Sequence, residues 1–366
     1  MKSKILTLST IAALFFIGCN KDDNNDDEQQ KLAAQVAAEQ AVINDVVNNV
    51  IVPTYHELDT KTNAMVTALT SLENNATDAN LTAAREAWKT ARTPWEQSEG
   101  FLYGPVKLPE DLDEAMDTWP VDVNAMNNII NGTASITADV IKSNPETRGF
   151  HLIEYLIWGE NGNATAASLS ARQKEYLKAA AEDMKNNTTA VLNGWTKGQK
   201  YAEDFYNASK GTGKYKTTAN AVSEITSGLW HIANEVAAEK IANCFNESGD
   251  PLFDKEESRF SNNSKKDFAD NIRSIQNIYL GKYNGKQGKG ISDLIKAKDT
   301  ALDTKLKNKI QEAIDNLEAI PGTFTQAITK GNAAGNAAVK KAQQTVFELR
   351  DIIEKEVNKY YAITKG

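Results

Sequence analysis

The sequence predicts an all-α protein of two tandem helical bundles. Three observations lead there. From Glu28 onward the chain is rich in Ala, Lys, Glu, Gln and Leu, the residues that cost least in a helix. Period-two alternation, the mark of a half-buried strand, is almost absent. Only eight prolines interrupt 366 residues. Residues 19–366 number 348, more than one hydrophobic core comfortably serves, which favours two bundles, at 31–210 and 211–366. Asn124–Ile136 and Arg273–Ile291 echo each other, with Asn-Ile, a Gly turn, then an Ile-led helix. That echo reads as a diverged internal duplication.

The chain opens with the basic Met1-Lys2-Ser3-Lys4 and an apolar run, Ile5 to Ile17. The run has the length of a signal-peptide core and is too short to span a membrane. Phe16-Ile17-Gly18-Cys19 resembles a lipobox, with Phe16 where Leu is usual. Residues 1–18 are therefore expected to be a lipoprotein signal peptide, with lipid on Cys19. Residues 19–30 read as a flexible tether, because the acidic run Asn20–Glu28 is too poor in apolar groups to fold. Lys21-Asp22-Asp23 also resembles a surface-export signal. The expected address is the cell envelope, as an outer-membrane lipoprotein, surface-exposed or facing the periplasm, touching the membrane through its lipid anchor only. With Cys19 lipidated, Cys244 has no partner and reads as a small core residue.

Net charge is −8, from 41 basic and 49 acidic residues, and becomes −10 when Lys2 and Lys4 leave with the signal peptide. Nucleic acid demands a basic surface and is excluded as a partner.

The elements follow in order. Glu28 to Asn74 reads as one long helix kinked at Pro53. Asp78 caps the next helix, which runs through Trp88 and Trp95 and bends at Pro94. Gly100 to Pro120, with Gly104-Pro105 and Pro109, reads as a long loop, and such loops often carry function. Helical pieces follow at Val121–Ile130 and Ser135–Lys142, then a helix from Glu146 to Trp158. Leu169–Lys185 and Thr188–Ser209 read as two helices. Gly211 to Lys214 (GTGK) is a break, not a phosphate loop, since no strand precedes it. Helices are expected again at Thr217–Phe245, Lys265–Leu280, Ile291–Lys298, Leu306–Ala319 and from Asn332 onward.

The stretch Arg148–Gly159 (RGFHLIEYLIWG) stands out. His151 and Glu154 are three apart and share a helix face in an apolar segment. Such a pair must find polar partners or cost about 2 to 7 kcal/mol per unpaired group. Gly149 removes a side chain beside His151 and permits close backbone approach. The pattern is not His-Glu-x-x-His, and Tyr155 stands where an inverted motif needs histidine. His56 and His231 read as core or surface residues.

Gly149-x-His151-x-x-Glu154 resembles the Gly-x-His-x-x-Glu signature of imelysin-like proteins. Trp95–Val106 (WEQSEGFLYGPV), Met116–Asp122 (MDTWPVD) and Glu256–Gly281 agree with that family. The family takes its name from an insulin-cleaving outer-membrane metallopeptidase and includes iron-regulated envelope proteins. Acids in equivalent stretches are implied to join the His-x-x-Glu pair around a cation. Carried over, this implies Glu96 or Glu99, Asp117 or Asp122, His151 and Glu154. Gly149, Arg92, Glu257, Ser258 and Arg259 are supporting candidates at a junction of the two bundles. Nearby aromatic residues, Trp119 among them, read as core.

Two function classes follow. One is an envelope protein that binds a metal cation or small ligand for iron acquisition, working with envelope iron-uptake partners; oxygen-rich ligands suffice for a cation. The other is a zinc metallopeptidase, which needs about three protein ligands, an open water position and a separate base. One histidine and one glutamate do not supply these, so binding is favoured over hydrolysis. A metal-free groove for a peptide or partner is the third reading. Iron and zinc are the candidate metals.

Overall fold

The computed structural model describes residues 23–107, 109–197, 200–247 and 249–365. The expected signal peptide, Cys19 and the start of the tether lie outside the described residues.

Helix α1 (Asp23–Val46) passes through a π-helical turn (Val47–Ile51) into α2 (Val52–Asn74). Residues 23–30, expected as flexible tether, are thus helical, and residues 26–35 are exposed. Pro53 sits at the start of α2, where it has no amide hydrogen to give. The wider turn before it re-routes the Val52 N–H to the Val47 carbonyl. Helix α3 (Asp78–Glu96) is capped by Thr77, not Asp78: the Thr77 Oγ1 accepts from Asn80 N at 3.2 Å. Asp78 instead accepts from Ala166 N at 2.9 Å.

Residues 100–120 are more ordered than a loop. They hold 3-10 turns at Glu99–Phe101 and Gly104–Val106 and helix α4 (Leu112–Asp117), capped by Asp111. Then come α5 (Val123–Asn131), α6 (Ala138–Lys142) and α7 (Phe150–Trp158). Helix α7 starts four residues later than expected, because Gly149 has a non-helical φ of +89°. A single helix, α8 (Ala171–Thr196), covers most of the first of the two expected and runs on through the start of the second. Asn187, a poor helix former, is kept in it by accepting from the Arg148 guanidinium at 3.1 Å.

After α9 (Tyr201–Tyr206), α10 (Thr218–Glu235) runs through a second π turn (Val236–Ile241) into α11 (Ala242–Phe245). Helix α12 (Ser264–Leu280) leads to a hairpin of β1 (Lys282–Tyr283) and β2 (Lys286–Gln287). Its turn is Asn284-Gly285, both at positive φ, the chemistry of a tight two-residue hairpin. The chain closes with α13 (Ile291–Lys298), α14 (Thr300–Glu318), α15 (Phe324–Ile328) and α16 (Ala333–Lys355). The two echoed segments differ in structure: the first is α5 and a turn, the second the end of α12 and the hairpin.

The fold is all-α, as the pattern predicts. Helices α2, α3 and α8 pack together, burying Leu58, Met65, Leu81, Trp88, Tyr176 and Met184. Each such side chain contributes about 1.5–3 kcal/mol by leaving water. Helices α10, α12, α14 and α16 form the other group, and α1 lies against it through α10 and α13. The groups meet where α3 packs on α12 and the Glu99–Phe101 turn packs on α10 and α12. Cys244 is buried, as expected. Among the described residues, no helix is long and apolar enough to cross a membrane.

Candidate functional site

The α3–α12 seam carries polar side chains where hydrophobic ones would ordinarily pack. Arg92 and Glu96, one turn apart on α3, are both fully buried and form an ion pair. Arg92 also pairs with Asp117 at the end of α4 and with Glu257 in the loop after α11. Its Nε lies 3.6 Å from Asp267 on α12. Asn271, one turn further along α12, donates to the Glu96 carboxylate at 2.5 Å.

Helix α7 brings the histidine. Trp88 Nε1 on α3 donates to the Phe150 carbonyl at 2.9 Å and pins the start of α7. Gly149 lets that start press onto α4: a Cβ there would lie 2.5 Å from the Met116 carbonyl oxygen. His151 therefore meets Asp117, Nε2 to Oδ1 at 3.1 Å. Its Nδ1 lies 3.2 Å from Glu154 Oε2. A carboxylate at each ring nitrogen favours the charged imidazolium form. Burial and Arg92 push its pKa down, but the bonds to Asp117 and Glu154 prevail and hold it at about 9. The Trp119 ring covers it, centroids 4.8 Å apart.

Glu154 is a brace. Its other oxygen accepts from Ser261 N at 2.8 Å, tying α7 to the Glu256–Ser261 loop. Glu256 fastens the same loop, accepting from Ser264 and Thr325, each at 2.7 Å. The second π turn supplies Lys240, whose ammonium lies 3.1 Å from Glu99 and 3.2 Å from Glu257.

Burial raises Glu96 and Glu99 well above the usual carboxylate range, against the pull of their cations. Burial likewise pushes Asp267 up to about 6, although Arg92 opposes it. Asp117 goes the other way: burial would raise it, but Arg92 and His151 hold it well below.

A cleft of about 680 Å³ opens onto this network. Seven of its fourteen lining residues are acidic against two lysines, so acidic groups dominate its lining. Asp117 and Glu257 reach it from inside, and His151 stands behind them, fully buried. Donor atoms of Asp117, His151 and Glu257 lie within 4.8 Å of one another, as do those of Glu96, Glu99 and Asp117. The second oxygen of Glu257 is buried with no hydrogen-bond partner.

Of the residues expected from sequence, Glu96, Glu99, Asp117, His151, Glu154, Arg92 and Glu257 come together. Ser258 is buried in the bracing loop, at a φ of +26°. Two candidates do not join. Asp122 is exposed and caps α5, accepting from Ala125 N at 2.9 Å. Arg259 turns outward to Glu160 at 2.6 Å and lies over the Phe260 ring. Sequence reasoning missed Lys240, Asp267 and Asn271; Trp119, read as core, does pack against the core and also lines the cleft. A lysine amid Val, Ala and Ile was the available signal for Lys240, and the i,i+4 pair Asp267/Asn271 the signal on α12.

The profile described as Imelysin matches residues 51–353 of this chain. The iron-regulated protein A of Synechococcus elongatus is 30% identical over 332 residues, covering 88% of this chain and 87% of that one. A crystal structure described as an iron-regulated protein A precursor from Parabacteroides distasonis superposes with a TM-score of 0.74 at 27% identity. That alignment covers 87% of this chain and 95% of the other. An imelysin-like protein from Psychrobacter arcticus shares the fold, with a TM-score of 0.73 at 13% identity over 90% of this chain and 98% of its own.

Proposed function

The chain belongs to the imelysin family, and from that premise we propose that it binds a metal cation, iron, in the acidic cleft and serves iron acquisition at the cell envelope. The observation that carries this reading is the Asp117, His151 and Glu257 donor group, with the partnerless Glu257 oxygen beside it. One imidazole nitrogen and carboxylate oxygens suit a divalent first-row ion. The surroundings favour positive charge: Arg92, Lys240 and His151 stand among six carboxylates, Glu96, Glu99, Asp117, Glu154, Glu257 and Asp267. Uptake of a cation would displace protons from His151 and from the carboxyls that burial has raised, so affinity rises with pH. The iron-regulated relatives support iron as the cargo, and Cys19 would tether the protein to the membrane.

The zinc-peptidase reading has less behind it. The donor group offers a single imidazole, and Glu154, the glutamate of the motif, is already engaged by His151 and Ser261 N. The test is calorimetric titration with Fe²⁺ under anaerobic conditions. His151→Ala and Glu257→Gln should each weaken binding about 10- to 100-fold. Wild-type protein that takes up no Fe²⁺, or variants that bind like wild type, would sink the proposal.

A further inference from the structure

The two cations inside the network are held in different ways. Arg92 is fully buried and its planar fork is gripped by Glu96, Asp117 and Glu257, with Asp267 behind. It has no route out. Lys240 lines the cleft, and its side chain keeps 10% of its surface exposed. Its ammonium is a compact charge on a flexible stem, which can swing while the backbone stays still.

The π turn sets this up. Glu235 and Lys240 are five residues apart, which in an α-helix would put them roughly 140° apart around the axis. Widening the turn brings them onto one face, Nζ to Oε1 at 3.8 Å. Glu235 is 41% exposed, so it stands toward the outside of the cleft, while Glu99 and Glu257 stand inside. Lys240 thus has carboxylates on both sides along its own swing. In its present position it shares the Glu257 carboxylate that the donor group also needs.

We propose that Lys240 is a resident counter-cation that occupies the site until a metal ion enters, then draws off Glu99 and Glu257 and closes on Glu235, already 3.8 Å away. This rests on the cation-binding reading above and adds how the site is regulated. A divalent ion between Asp117, His151 and Glu257 would stand close to the ammonium, and the two charges repel strongly in a half-buried setting. Retraction to Glu235 relieves that repulsion and leaves Glu257 shared by Arg92 and the metal alone. In the empty protein, the lysine supplies the cation that faces Glu99 and shares Glu257 with Arg92.

The test uses the full-length protein with Co²⁺ alone as the probe, read by calorimetry. Lys240→Met should tighten Co²⁺ binding about tenfold or more. Glu235→Gln should weaken it about threefold in the wild-type background and have no effect in the Lys240→Met background, because Glu235 acts only by receiving the lysine. Equal weakening in both backgrounds means a plain field effect and overturns the proposal. So does a Lys240→Met variant that binds no tighter than wild type. If Lys240→Met does not fold, Lys240→Arg replaces it: the rigid fork should hold Glu257 and weaken Co²⁺, and unchanged affinity would overturn the proposal. If neither wild type nor Lys240→Met takes up Co²⁺, the cation-binding reading itself has failed.

Discussion

Gly149→Ala tests how the histidine is brought to its aspartate. Gly149 has φ +89° and ψ −178°, a region essentially reserved for glycine, where another residue costs about 1–3 kcal/mol. The new Cβ would sit 2.5 Å from the Met116 carbonyl oxygen and 2.8 Å from its carbon. Reaching ordinary contact at about 3.5 Å requires α4 and α7 to separate by roughly 1 Å. Asp117 follows Met116 directly, so its 3.1 Å contact with His151 would open to about 4 Å, beyond hydrogen-bond range. Opening this buried charged contact adds about 1.5–3 kcal/mol. The substitution should therefore cost about 2.5–6 kcal/mol in urea unfolding. NMR titration of His151 should show its pKa falling from about 9 toward the ordinary 6.5. A variant within about 0.5 kcal/mol of wild type, with His151 still titrating near 9, would refute the argument that Gly149 is there for this approach.

The same histidine makes stability pH-dependent. Its folded pKa of about 9 exceeds the unfolded 6.5, so its contribution is complete below about pH 6.5 and is lost as pH rises through 9. The loss should reach about 3 kcal/mol at 1.36 kcal/mol per pKa unit, and His151→Gln should flatten that limb of a urea-midpoint profile. Asp267, pushed up to about 6, acts in a lower window: its contribution is present below about pH 4 and is lost as pH rises through 6. Asp122→Ala should cost only the cap of α5, about 1 kcal/mol in urea unfolding, and leave Fe²⁺ affinity unchanged, unlike Glu257→Gln. Cys19→Ser should move the protein from the membrane to the soluble fraction in cell fractionation, with loss of the lipid from its mass.

Much of this protein is legible before folding. Low-cost helix formers and missing alternation decide the all-α class locally, turn by turn. The i,i+3 spacing of His151 and Glu154 and the i,i+4 spacing of Arg92 and Glu96 are helix geometry, and both pairs are in contact. Gly149 declares a backbone approach that a side chain would obstruct.

Other features were decided by neighbours far away in sequence. Asp117 and Asp122 flank the same Trp-Pro corner and look alike in the chain, yet one is gripped by Arg92 and the other caps a helix. Glu257 and Arg259 differ in the same way, because the loop brace at Glu256 and Ser261 sends one inward and the other out. Lys240 stands out in the sequence but could not be placed in the site, because an α-helical reading cannot foresee the extra residue of a π turn. The seam partners Asp267 and Asn271 gain meaning only when α12 lies on α3. Sequence by itself determines which side chains share a helix face, because that depends on a fixed rotation per residue. Which charges end up buried together depends on how helices remote in sequence pack, and only the tertiary structure decides it.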